Sequence, residues 1–562
     1  VRPVGHLALI ITHPDSVEAN ASAEEDLIRD GRWLGTSIHQ VPTSDECVGL
    51  AKRWINTCLE DHDYCPKTLH VPLPKRVVNV GSTSQEPFLE VGNNKIGKYA
   101  ALSYCWGKTK TLKTEHWNMD DHKKQIPMRS LPRSLQDAVT FTRRLGIQYL
   151  WIDALCIIQD DPNDWEEQSA AMYDIYRHSH VTISATSAQD SDTYWLEERS
   201  DGAAPVKLWD IDSLFHWGRR KAVYLIPQIK PWDYNIDRAP ISERAWTLQE
   251  RVLSPRVLHF GIHQMVIECQ TCTISEAGND KERLGTLYGE LATYVSRHAR
   301  KEDNHTIYQF KRILTDDNVS LSIDINPPRL SSRSVAGTPR DRMLLRWYKL
   351  LENYTRRSLT KKEDKLVALL GITDFIRSKI QDEFVAGLWR EDMHRGLCWI
   401  VLDTTHSSRP SVPRSPSWSW AAVDGKLKFA DKLVFDSSSE ITVKTGVGTC
   451  TDSLVLKSKL QTFRTLADLQ QWGAQRRMAI FMDIVQTLEA GRQLYTAAYV
   501  ATMWRDKAEP DDIIKEYDTF YLILVLAEVE GTYRRAGIAR SNHLWAEPTV
   551  PDPRSFEQII II

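Results

Sequence analysis

The chain is 562 residues long with a formal net charge of −3, 42% hydrophobic and 26% charged residues, the balance of a globular protein with material for sizeable cores. Single cores stop growing near roughly 250–300 residues, so two or three domains are expected. A charge this close to neutral provides no basic field for nucleic acid or anionic membrane, and neither is expected as a partner.

No apolar run approaches the roughly 18 residues that a membrane helix needs. The strongest, FYLILVLAEV from Phe520, reads as a buried strand or core helix. The opening VRPVGHLALIITHP is too short in its apolar part for a secretory signal and has no small-residue cleavage pattern behind it, so a cytoplasmic location is expected. Nine cysteines, an odd number in so long a chain, read as reduced thiols. Nineteen tryptophans are more unusual, since each indole needs packing and a partner for its N–H.

In chain order, residues 1–45 offer one strand in their hydrophobic start. CVGLAKRWINTCLEDHDYC (47–65) predicts a core-facing helix with Leu50, Trp54, Cys58 and Cys65 on one stripe, and a short strand follows at RVVNV. KYAALSYCW (98–106) is an extended apolar run ending at Gly107. SLQDAVTFTRRLG (134–146) has helical spacing, with Ser134 as N-cap and Gly146 as stop. IQYLWIDALCII (147–158) reads as a buried strand, Asp164 as the cap of the helix WEEQSAAMYDIYRHS, and HVTISAT as the next strand. This alternation predicts a parallel sheet with LSYCW, YLWID and VTISA as neighbours. Further strands and a helix at SERAWTLQERVLS fill 205–260. Residues 280–395 read as mainly helical with a polar break near 325–339, and β structure begins at PSWSWAAVDGKL (416).

Five blocks in order, YAALSYCWG (99–107), LPRSLQDAV (131–139), LGIQYLWIDALCIIQDDPNDW (145–165), QSAAMYDIYRHSHVTISATSA (168–188) and RAWTLQERVLSPRVLHFG (244–261), resemble the heterokaryon-incompatibility (HET) domain of filamentous fungi. The flanking WINTCLEDHDYC, YTRRSLTKKEDKLVALLGI, VAGLW and PSWSWAAVDG resemble the surroundings of that domain in long stand-alone members, where the PSWSW tryptophans are structural. The resemblance implies an N-terminal arm at 1–95, a HET domain at 96–275 and a C-terminal α+β region at 276–562. It also implies an α/β fold: a TIR-like or flavodoxin-like mostly parallel sheet with an N-terminal helical arm. HET domains trigger growth arrest and cell death when unlike fungal cells fuse, and their proposed kinship to TIR domains implies self-association or NAD cleavage.

The run LWIDALCIIQDD carries Asp153, Cys156, Gln159, Asp160 and Asp161 to the carboxyl edge of a parallel sheet, where open α/β proteins place ligands. A carboxylate inside an apolar strand needs a partner or holds its proton, and Arg244 is a candidate partner for Asp153. RAWTLQER supplies Arg244, Trp246, Gln249, Glu250 and Arg251 at helical spacings, with Arg244 and Arg251 on a common face fit for an anion or for an ion-pair network. The expected catalytic set is Asp153, Asp160, Arg244 and Glu250. Tyr104, Trp106, Trp151, Cys156, Trp246 and Gln249 are expected to contact substrate, in a pocket between the HET sheet and the C-terminal region.

Cys105 and Cys156, near the ends of neighbouring strands, are weak nucleophile candidates because no histidine is fixed beside them. Glu166, Glu167, Glu197 and Glu198 occupy loops loosely comparable to that of the TIR glutamate, yet no TIR catalytic motif is present residue by residue. Cys47, Cys58, His62 and Cys65 lack the paired CxxC knuckles of structural zinc sites, and CQTC (269–272) stands as a lone pair, so no zinc is expected. P-loop, GxGxxG and HExxH patterns are absent. Three functions remain open. The first is an incompatibility protein that cleaves NAD or self-assembles; the second is a cofactor-free cyclase acting on a terpenoid or polyene in fungal secondary metabolism; the third is an interaction module without turnover. No cofactor is required, and NAD enters only as a substrate. The expected partners are a small molecule and either a second copy of the chain or another fungal protein.

Overall fold

The computed structural model describes residues 7–12; 38–276 except 68–69, 93, 108–111, 200–205, 212–220 and 228–235; residue 311; and 339–562 except 431–432, 437–438, 445–451, 476–477, 484–494, 505–518, 528–531 and 542–556. The chain divides into two compact units, Val1–Asp316 and Asp317–Ile562.

The first unit opens with strand β1 (Leu7–Thr12) and helix α1 (Asp45–Glu60). Ser44 caps α1 by accepting from the Cys47 amide, and Asp45 and Glu46 favour the positive end of the helix. The buried stripe is Cys47, Val48, Ala51, Ile55 and Cys58, rotated from the predicted one, with Leu50 and Trp54 half-buried. The helix also stops at Glu60, so His62 and Cys65 lie in the turn beyond it.

The main sheet has eight strands: β2 (Arg76–Asn79), β3 (Phe88–Val91), β4 (Tyr99–Ser103), β5 (Tyr149–Trp151), β6 (Val181–Ser184), β9 (Arg256–Phe260), β10 (Met265–Cys269) and β11 (Thr273–Ser275). The two intervening strands, β7 (Val206–Ile211) and β8 (Lys221–Pro227), form a separate antiparallel sheet with β1 in the order β1-β8-β7. The main sheet is ordered β11-β10-β9-β6-β4-β5-β2-β3.

As expected, β4 pairs in parallel with β5 on one side and β6 on the other, in register Ala101 to Trp151 and Ala101 to Thr182. β9 extends the parallel run beside β6. The expectation of a mostly parallel sheet is corrected to a mixed one, because β2 runs antiparallel to β5 and the β9-β10-β11 meander closes the other side. Every residue of β4, β6, β9 and β10 is buried, the pattern of strands covered on both faces.

Helix α2 (Arg133–Leu145) connects β4 to β5 and places Phe141 edge-on to Phe260 at 4.7 Å. It starts after Pro132 with no side-chain cap. Ser134, read as the cap, donates instead to the carbonyls of Asp190 and Thr193. Gly146 ends α2 at φ 77°, a left-handed conformation that favours glycine. Helix α3 (Pro162–Arg177) connects β5 to β6 and is capped by Asp161, not Asp164; Asp164 turns inward to pair with buried Arg76 and accept from the Ile158 amide. Helix α4 (Trp246–Leu253) precedes β9.

In the second unit, helices α5 (Pro339–Tyr354) and α6 (Leu370–Ile380) match the expected helical character; the predicted break near 325–339 lies outside the described residues but for its last position. The nine-stranded sheet contains β12 (Leu433–Asp436), β13 (Glu440–Lys444), β14 (Ser453–Ser458), β15 (Leu460–Phe463), β16 (Met478–Met482), β17 (Tyr495–Trp504), β18 (Thr519–Ala527), β19 (Thr532–Ser541) and β20 (Glu557–Ile561). Its order is β12-β17-β18-β19-β20-β14-β13, with β15 beside β17 and β16 beside β19. Residues 520–527 of the FYLILVLAEV run belong to strand β18, in which Tyr521, Ile523, Leu524, Val525 and Leu526 are buried. Trp347, Trp389, Trp399, Trp418 and Trp420 are fully buried, which gives the PSWSW tryptophans a structural role. Among the described residues no helix is long and apolar enough to cross a membrane.

Candidate functional site

The carboxyl ends of β4 and β5 bring several buried polar side chains together. The strand read over 147–158 is shorter than predicted: it stops at Trp151, and Asp153–Cys156 form a single helical turn. That turn presents the Asp153 carboxylate to the Trp106 indole N–H at 2.7 Å and the Ala154 amide at 2.7 Å. Gln159 steadies the turn by donating to the carbonyls of Asp153 and Ile157. Burial raises the Asp153 carboxyl above its usual range, and Arg244 beside it works in the opposite direction.

Glu250, buried on α4, accepts from Ser103 at the end of β4. Its carboxyl is pushed up to about 7 by burial, against the pull of Ser103, Arg244 and Tyr176. Tyr104 lies beside these groups. Its hydroxyl is buried and interacts with Asp153, and burial together with the Asp153 and Glu250 charges holds its pKa well above the usual tyrosine value. Arg244 donates to the Tyr104 carbonyl. Two carboxyl groups with raised pKa, one guanidinium and a buried phenol at the end of parallel strands make a candidate site for acid–base chemistry on a polar ligand.

Other predicted members lie elsewhere. Asp160 is exposed and bonds the ring and amide of His116, so it does not join Asp153. Arg244 precedes α4, and Arg251 turns instead to Glu268 and Asp237, so the two arginines share no anion-binding face. Trp151 is fully buried and edge-on to Tyr176 at 5.6 Å, a core contact. Trp246 is half-buried and Gln249 buried, both on α4. The Cys156 sulfur accepts from the Ile152 amide, and Cys105 packs with Ala239 and Ile241. Burial raises these two thiols to about 12 and about 11, which keeps them protonated and poorly nucleophilic at neutral pH. Glu166, Glu167, Glu197 and Glu198 are exposed. Ser103 and Tyr176 were not singled out in the sequence. A hydroxyl closing an apolar strand is the one local signal that marks Ser103.

Glu250 also makes stability depend on pH. In the unfolded chain a glutamate titrates near roughly 4.3, and in the fold Glu250 titrates at about 7. The folded state therefore binds more protons between these values, and the contribution is complete below the lower one and lost as pH rises through the upper. Glu250→Gln is expected to remove about 3–4 kcal/mol of this decline, measured as a flatter dependence of urea-unfolding free energy on pH across that window; an unchanged slope would show that Glu250 titrates normally.

Residues 99–250 match the family model described as Heterokaryon incompatibility protein (HET). Over 93 residues the chain is 37% identical to a protein named Heterokaryon incompatibility protein 6, OR allele, from Neurospora crassa. That alignment covers 15% of this chain and 14% of the relative's own length. No solved structure matches.

Proposed function

Because the chain carries a heterokaryon-incompatibility domain over residues 99–250, we propose that this domain is the catalytic part of an incompatibility protein: it binds a small polar molecule of the NAD class at the carboxyl ends of β4 and β5 and breaks its nicotinamide–ribose bond. The observation that carries the reading is the concentration of buried polar groups there: the Tyr104 hydroxyl, interacting with Asp153, lies in the field of Glu250 and Arg244. Topology supports the same place. Numbered along the chain, the four parallel strands lie in the order 2-1-3-4, as in doubly wound sheets of flavodoxin type, and the connection reverses direction beside β4, where such folds bind ligands. That order also favours the TIR-like comparison.

In this reading Asp153, the less enclosed carboxylate, faces the positive charge that develops on the ribose as nicotinamide departs with the bonding electron pair. Water adds to the ribose carbon and its proton passes to ionised Glu250, so the products are nicotinamide, ADP-ribose and a proton. Arg244 restrains both carboxyl groups and offers a cation to a phosphate. A cyclase would need free aromatic walls, whereas Trp151 is used in the core and the Trp106 indole is committed to Asp153, so the polar substrate is preferred.

Purified protein incubated with NAD is expected to release nicotinamide. Asp153→Asn and Glu250→Gln should each lower the rate about 100-fold or more with the fold retained, and Asp160→Asn should stay near wild type. The rate should rise with pH through about 7 as Glu250 ionises. If the wild-type protein releases no nicotinamide, the reading is overturned in favour of a binding module.

A further inference from the structure

We infer that the first unit holds a structural zinc ion, bound by Cys58, His62, Cys65 and Cys269, which fastens the end of the N-terminal helix to the β10-β11 hairpin. One ligand atom from each of these four residues lies within 4.8 Å of every other. The sequence joins Cys47 to Cys58, His62 and Cys65, but Cys47 faces away and donates to Glu276 at 3.4 Å. Because α1 ends at Glu60, the chain turns back and brings His62 and Cys65 onto Cys58. The fourth ligand comes from 207 residues beyond His62.

The spacing suits a tetrahedral ion. Zn–S bonds of about 2.3 Å and Zn–N bonds of about 2.0–2.1 Å set sulfur-to-nitrogen edges of roughly 3.6 Å. The His62 Nδ1 lies 3.7 Å from Cys65 Sγ and 3.4 Å from Cys269 Sγ. Cys58, Cys65 and Cys269 are all nearly inaccessible to solvent, so the set is closed, as structural sites are. Cys269 also accepts from the Cys272 amide at 3.3 Å, and Thr271 Oγ1 lies 3.4 Å from Cys65 Sγ, contacts that suit thiolates. Cys272 stands at the rim, its sulfur 3.8 Å from His62 Nε2.

Arg256 provides an independent observation. It is 1% exposed and donates to the carbonyls of His180 and Pro66, with Nη1 at 3.7 Å from Cys58 Sγ, and it has no carboxylate partner among the described residues. A buried guanidinium without a counter-charge is strongly unfavourable. Three thiolates, a neutral imidazole and Zn²⁺ together carry one negative charge, which Arg256 balances; four neutral side chains would leave it uncompensated. Three sulfurs and one nitrogen in a tetrahedron favour zinc over harder cations.

The test is elemental analysis of the full chain produced with zinc and dialysed against metal-free buffer. About one zinc per chain is expected, and Co²⁺ taken up in its place should give the visible bands and near-ultraviolet thiolate charge transfer of a tetrahedral sulfur site. His62→Ala and Cys269→Ser should hold less than about a fifth of that metal, while Cys47→Ser and Cys272→Ser retain it. Cys156→Ser, an equally buried thiol outside the cluster, controls for simple loss of fold, and on the unaltered protein a chelator should lower the melting temperature by several degrees. Folded, zinc-supplied protein without bound zinc, or zinc retained by both His62→Ala and Cys269→Ser, would overturn the proposal.

Discussion

Replacing Glu268 by alanine is expected to lower the unfolding free energy of the first unit by about 3–5 kcal/mol. Glu268 is fully buried at the centre of a charged cluster. Its Oε2 accepts from Arg251 Nε at 2.9 Å and Nη2 at 2.7 Å, and its Oε1 faces Lys311 Nζ at 3.4 Å. Burial alone would raise this carboxyl, but Arg251 and Lys311 outweigh it and hold the pKa well below the ordinary value. His259, 3.7 Å away, is kept neutral because burial lowers its pKa to about 4. Arg251 also bonds Asp237 at 2.8 Å, so two cations and two carboxylates balance. Alanine at 268 leaves an excess positive charge enclosed in protein. Lys311→Met removes the cation for which burial outweighs the nearby carboxylate and lowers the pKa, and keeps the Arg251 pair, so its cost should stay below about 2 kcal/mol. Urea titration of both variants is the measurement. A Glu268→Ala loss smaller than that of Lys311→Met would show that the cluster does not hold charge in this way.

In the second unit the corresponding expectation concerns Arg535, where lysine should recover less than half of the about 3–5 kcal/mol lost on replacement by leucine. The guanidinium is buried with its central carbon 3.4 Å from the centre of the Trp399 ring. Its Nη1 and Nη2 donate to the Leu397 and Trp399 carbonyls at 2.6 and 2.7 Å, and Nε donates to Asp483 at 3.1 Å. Leucine strands two carbonyls and leaves buried Asp483 to Arg409 alone. Lysine restores the charge, yet one ammonium on a flexible stem cannot serve three acceptors placed for a planar fork. Thermal melts of Arg535→Leu and Arg535→Lys decide the matter: a lysine variant as stable as wild type would mean that charge alone suffices.

The residues differ in how far their local pattern reveals their place. β4, β5, β6 and the helices between them were readable because each carries its own period and stop, such as Gly146 after α2. Asp153 stands out as a carboxylate in an apolar run, and Glu250 as a member of the polar-dense block RAWTLQER, signals that do not depend on distant contacts. Asp160 misled because the chain turns after Trp151, so that Asp153 and Asp160 do not lie along one strand. Arg244 and Arg251 looked like neighbours on a helix that in fact begins only at Trp246. The Cys269 thiol and the Glu268 carboxylate escaped for another reason. Their partners at Cys65 and Lys311 meet them through the meander after β9, and such pairings leave no trace in spacing along the chain.

The order of the main sheet also separates the heritable pattern from the physical object that folds. The recognisable stretch, 99–250, contributes β4, β5 and β6, and stops short of the strands that pair on either side, β2 next to β5 and β9 next to β6. Cut at those limits, the sheet would present two open rows of backbone N–H and C=O groups on β5 and β6, the condition under which sheets join to one another indiscriminately. Sequence on both flanks, outside the stretch that the family model matches, therefore covers those two edges in the whole chain.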